Sequence, residues 1–158
     1  MASNTMNLDL IQEMVDNYKS KQYLSIVTNK VNPMPFDAQS VRFDLNALKL
    51  FIETIESEVA KHPEYKLENL GIRFYYSAYP TEESWEKNEG LNGVPGEYAK
   101  LHTLIAIPTA EINKKQSDFD PLDVKTYDGT KPSGERLAIM AENHGFLVPP
   151  DHYSNLWF

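Results

Sequence analysis

The sequence predicts an α+β fold, a small antiparallel sheet packed against two or three amphipathic helices, on three observations. First, the runs from Gly71 to Tyr79 and from Leu101 to Pro108 are rich in aromatic or β-branched residues and bounded by turn formers. Each reads as a core strand, at about 70–78 and about 101–108. Second, Leu45, Leu48, Ile52, Ile55 and Val59 fall at helical spacing and make one continuous apolar stripe. Third, the polar stretch between the strands, with Gly90, Gly93, Pro95 and Gly96, has no helical periodicity, so the strands form a hairpin with an enlarged loop rather than a parallel crossover.

The elements follow in order. Leu8, Ile11, Val15 and Tyr18 alternate with polar residues at helical spacing and predict an amphipathic helix running to about Lys21. The segment from Tyr23 to Thr28 is either its continuation or a short strand. Pro33 and Pro35 then break the chain by removing donors and forcing extended neighbours. Ser40 to Phe43 adds a short strand. Asp44 caps the second helix, which His62-Pro63 ends. After the strand pair, Thr109 to Lys131 is polar, carries Pro121 and Asp128-Gly129, and reads as loops. A last helix is expected from Glu135 to Asn143, with Ser133 as cap, an apolar face of Leu137, Ile139 and Met140, and Gly145 beyond its end. The tail from Phe146 to Phe158 is too apolar for a solvated terminus and is expected to dock on the body or on a partner.

With 158 residues, the chain reads as a single globular domain over 1–158, with a mobile loop at 80–100 and an apolar tail at 146–158. Apolar residues at 41% and charged residues at 24% place it outside the disordered class. The 23 acidic against 15 basic residues give a net charge of −8, which repels phosphate backbones. No basic stripe is visible, so nucleic acid is disfavoured as a partner, whereas a basic protein would be drawn in by charge. Cysteine is absent, which removes disulfides, thiolate catalysis and cysteine-based metal sites. The N-terminus has no signal-peptide pattern, and the apolar runs are too short to span a membrane. A soluble, cytoplasmic protein is the expectation.

Candidate sites are few. On a strand, Arg73, Tyr75 and Ser77 share one face. With Arg42, and with His102 if the register permits, they would make a cradle for an anionic small molecule, because a guanidinium offers a planar fork of donors. The plainer reading is the wet side of a sheet, with Arg73 paired to a carboxylate or lying over Tyr75. His102, His144 and His152, with Asp151, lack metal-ligand spacing, so no metal is expected. His62 is explained by a helix end. The acidic stretch from Ser117 to Asp123 fails the calcium-loop pattern, since Leu122 and Asp123 stand where a ligand and a glycine are needed, and reads as a solvated loop. Neither Gly90 to Gly96 nor Gly129 to Gly134 is a phosphate loop, although the first could form a flap over the sheet. No nucleophile elbow is present, no cofactor is implied, and the paired carboxylates are explained by solvated helix faces. Tyr79, Trp85 and Tyr98, around the strand pair, and Trp157 near the end of the chain are the aromatic candidates for partner contact.

The stretches Leu70 to Tyr76, His102 to Thr109, and Asn143-His144-Gly145 followed by Pro149-Pro150 resemble a group of small uncharacterised bacterial α+β proteins. The resemblance covers most of the chain after Ser40. It implies a bacterial cytoplasmic protein and carries no activity and no functional residue.

The leading expectation is therefore a non-catalytic binding module that takes a protein partner through the region from Tyr79 to Tyr98 and the tail. The alternative is a small enzyme or ligand-binding protein built on Arg42, Arg73, Tyr75 and His102. A homodimer through the sheet edge or the tail is compatible with either.

Overall fold

In the computed structural model, which describes residues 5–85, 87, 91–132 and 139–148, the chain is α+β with two small antiparallel sheets. Two compact units divide it: Met1–Val41 with Leu147–Phe158, and Arg42–Phe146.

In the first unit, Asn7 accepts hydrogen bonds from the amides of Asp9 and Leu10 and starts α1 (Leu8–Tyr18). The chain stays helical through a π segment (Lys19–Tyr23) into α2 (Leu24–Val27), so the segment after Tyr23 continues the helix. Met34, Ala38 and Leu147 are buried. The short strand foreseen before Asp44 is present as β1 (Ser40–Arg42), paired with β5 (Phe146–Val148).

In the second unit, Asp44 Oδ1 accepts from the amides of Asn46 and Ala47 at 2.9 and 3.1 Å and caps α3 (Leu45–Ala60). The buried face is shifted from the expected stripe: Ile55 is buried and Val59 packs against the core, but Leu45 and Ile52 are exposed and Phe51, outside the stripe, takes the inner position. Phe51 and Ile55 are buried with Ala106, Ala110, Ile112, Phe119 and Tyr127. The sheet beneath has the order β2 (Glu68–Ala78), β3 (His102–Ile112), β4 (Lys115–Asp118), with both pairings antiparallel. β3 is central and largely buried, as its unbroken apolar run demands; β2 is an edge strand and largely exposed.

Two expectations are corrected here. The chain after Thr109 is not all loop: β3 runs on to Ile112 and turns back into β4 through Asn113 and Lys114, both with positive φ (53° and 64°). A two-residue hairpin turn of type I′ needs that backbone at both positions, and glycine, its usual sequence signal, is missing. The last helix is the other. Residues 133–138 lie outside those described, and 139–143 are not helical. Glu142 instead exchanges backbone hydrogen bonds of 2.9 and 3.0 Å with Ala106, satisfying polar groups of β3 that β4 does not reach.

Among the described residues, no helix is long and apolar enough to cross a membrane.

Candidate functional site

Register decides which residues can meet. Arg73 lies opposite Ile107, Tyr75 opposite Ile105 and Ser77 opposite Thr103, so these six side chains share the sheet face away from α3. Across the central strand, Asp118 pairs with Thr109 and brings its carboxylate onto this same face. Arg73 Nη1 donates to Asp118 Oδ1, the Tyr75 hydroxyl donates to Asp118 Oδ2, and Arg73 Nη2 reaches the Gln116 carbonyl at 3.0 Å. The neighbouring Tyr75 hydroxyl, and then the Asp118 carboxylate, hold the Arg73 guanidinium above its ordinary pKa.

This geometry dismantles the four-residue anion cradle. His102 lies opposite Ala78, one register step from Ser77, and so faces the other side of the sheet. Arg42 sits with its guanidinium 5.4 Å from the centre of the Phe146 ring. Only Arg73 and Tyr75 come together, and the charge that would draw an anion is already matched by Asp118. No spacing rule links Asp118 to Arg73, because a partner 45 residues away is visible only once the register is known.

The aromatic candidates also divide. Tyr79 and Tyr98 are buried and pack against each other at 6.0 Å, with Trp85 on Tyr79 at 5.4 Å. The Tyr79 hydroxyl donates to the Asn143 carbonyl and to Asn143 Oδ1, at 3.1 and 2.8 Å. Burial pushes the Tyr79 phenol up. This cluster ties Trp85 and Tyr98 to the end of β2 and leaves Tyr79 and Tyr98 no surface to offer. Trp157 lies outside the described residues. On β2, Phe74, Tyr75 and, 94% exposed, Tyr76 are exposed, with one side of the Phe74 ring tilted against Phe43 at 5.9 Å.

The outer edge of β2 is open among the described residues. Ala106 gives both backbone groups to Glu142, so Ala106 and Phe74 form a non-hydrogen-bonded pair. By alternation, the backbone groups of Ile72, Phe74 and Tyr76 point away from β3. At the start of the strand, a bulge between Glu68 and Gly71, with Asn69 at φ 48°, limits the regular edge to Gly71–Ala78. A Cβ at Gly71 would meet Thr109 Oγ1 at 3.0 Å, so a larger residue there would have to displace that side chain. Beside this edge, Ile52, Ile55 and Glu56 of α3 form a groove of about 260 Å³ with Leu70, Gly71 and Ile72.

The face carrying Arg73 and Tyr75 holds a larger cleft, of about 670 Å³. Ile105 and Ile107 line it together with Tyr75, Phe119, Pro132 and Ile139, and its polar groups include Asp118, Asp120 and Lys131. The acidic stretch beside it is not the solvated loop its composition suggests. Phe119, Asp120 and Pro121 are buried, Asp120 accepts from the Leu122 and Met140 amides, and Asp123 caps a 3-10 turn at Val124–Thr126.

The histidines are dispersed. His62 lies edge-on to the rings of Tyr65 and Tyr127, at 6.4 and 5.9 Å, and His144 Nδ1 is 3.3 Å from Glu142 Oε1. Asp151 and His152 lie outside the described residues, as do Gly90, Ser133 and Gly134. Among the described residues, no group of three or more histidines and carboxylates could hold a metal ion. Gly93 and Gly96 stand in open space, and neither contributes to the cleft. No family model, no curated protein and no solved structure matches this chain.

Proposed function

We propose that this chain is a non-catalytic protein-interaction module of the bacterial cytoplasm, and that it docks an extended segment of a basic protein partner on the outer edge of β2. One observation carries the reading. An edge strand with outward-pointing backbone groups from Ile72 to Tyr76 also displays Phe74, Tyr75 and a nearly fully exposed Tyr76. Natural edges are usually blunted by charge, proline or covering elements, and between Phe74 and Ala78 this one has none of the first two. An added strand would satisfy the open backbone groups, and the groove beside α3 would take its alternate side chains. Glu56 in that groove, Glu68 at the start of the strand and the net charge of −8 favour lysine or arginine on the incoming segment.

A lysine-flanked extended peptide of alternating valine and threonine tests this by amide hydrogen exchange. Binding is expected to slow exchange at Ile72, Phe74 and Tyr76 by roughly tenfold or more, and a glutamate-flanked twin is expected to bind more weakly. Tyr76→Pro removes one outward N–H without touching the β2–β3 ladder, and is expected to abolish the protection while the fold is kept. Unchanged exchange with both peptides, or protection confined to another surface, would remove β2 as the docking edge.

A further inference from the structure

The cleft on the opposite side of the sheet from α3 is independent of the β2 edge. We propose that it binds a neutral, largely apolar small molecule that donates a hydrogen bond to Asp118.

Size and lining come first. At about 670 Å³ the cleft falls within the range of roughly 300–1,000 Å³ typical of small-molecule sites. Ile105 and Ile107 of the central strand, Phe119, Ile139 and the ring of Tyr75 supply apolar contact. With Ser117 and Asp118 of β4, the lining draws on three strands and on the chain that follows β4, so the space is a property of the folded sheet and not of one loop.

The polar end is prepared in advance. Arg73 and Tyr75 grip Asp118 from two directions, one on each carboxylate oxygen, which fixes the carboxylate before any ligand arrives. An ionised carboxylate has about four acceptor positions, and these two partners take two of them. The remaining positions can accept from a hydroxyl or an amide without loss of either partner.

Charge balance selects the class. Asp118 and Asp120 line the cleft with Lys131, and Arg73 cancels Asp118 from just outside the lining. An anion would face two carboxylates. A cation would compete with a guanidinium already seated on Asp118. Burying either charge without a dedicated counter-charge is costly, whereas a neutral donor meets no such penalty.

Four probes sharing one phenyl-ethyl frame test the proposal on the full chain by two-dimensional amide NMR: 2-phenylethanol, its methyl ether, phenethylamine and phenylacetate. The alcohol is expected to give saturable shifts at Ile105, Ile107, Asp118 and Phe119. The ether, which cannot donate, and the two charged probes are expected to bind at least about tenfold more weakly. Ile139→Trp, at an exposed lining position, should fill the cleft and remove the shifts, with the rest of the spectrum retained; Ile105→Trp fills it from the other side should the first variant perturb folding. Equal binding of alcohol and ether, tightest binding by the acid or the amine, saturable shifts that survive both tryptophan variants, or no saturable shift at all would each overturn the proposal.

Discussion

At the residue scale, Asp118 determines what Arg73 can do. Alone on a strand face, Arg73 looks like an anion receptor; tied to Asp118 and to the Gln116 carbonyl, it becomes an orienting group. Both side chains of the pair are more than a third exposed, so solvent screens much of their attraction. A double-mutant cycle with Arg73→Ala and Asp118→Ala, read by chemical denaturation, is expected to give a coupling of about 0.5–1 kcal/mol. A coupling of several kcal/mol would show that the pair is a stability element and not a support for the cleft. The sequence placed Arg73, Tyr75 and Ser77 on one face, because strand alternation is local. It could not place His102. The run from Leu104 to Ile107 is continuously apolar, carries no alternation of its own, and leaves the register open by one residue.

At the element scale, α3 was the most legible piece of the chain. Its cap, its stripe and its end at His62-Pro63 are all local signals, and the structure starts the helix at Leu45 behind Asp44. Asp44→Ala is expected to cost about 1 kcal/mol in the unfolding free energy, within the usual range for a lost N-cap, because two amides would lose their acceptor. A loss well under half of that would mean that water replaces the cap at no cost. β4 and the strand-like Glu142 were illegible for one shared reason. Lys115–Asp118 is polar and short, and Glu142 pairs through its backbone alone, so neither writes a pattern into side-chain hydropathy. What recruits them is the second edge of β3, whose buried backbone groups need partners. The connection from 80 to 100 shows the converse. Its aromatics looked available for a partner, yet Trp85 and Tyr98 are each packed on Tyr79.

At the scale of the whole molecule, two buried phenols link stability to pH. Tyr79 closes on Asn143, and Tyr127 donates to the Pro121 carbonyl at 2.8 Å. Burial is the first cause that raises each phenol, with nearby acidic groups adding to both. The folded state therefore holds these protons more tightly than the unfolded chain does. Their stabilising contribution is complete below the ordinary tyrosine pKa of about 10 and is lost as pH rises from there toward the folded values. The urea midpoint is expected to fall with pH above that point, and Tyr79→Phe with Tyr127→Phe should remove much of the dependence. A midpoint equally steep in the double variant would assign the alkaline loss to other groups.

The sequence by itself determined the α+β class, the presence of β2 and β3, the first helix and α3 with its cap, along with the absence of cysteine chemistry; that β2 is an exposed edge and not a second core strand it did not show. All of these follow from spacing, capping and composition, which act over a few residues or over the chain as a sum. The tertiary structure alone decided which charges cancel, which aromatics are used up, where an edge stays open and where a cleft remains. Each of those depends on strand register and on contacts between residues tens of positions apart. A shift of one residue between β2 and β3 would have put His102 on the face of Arg73 and Tyr75 and moved Asp118 off it.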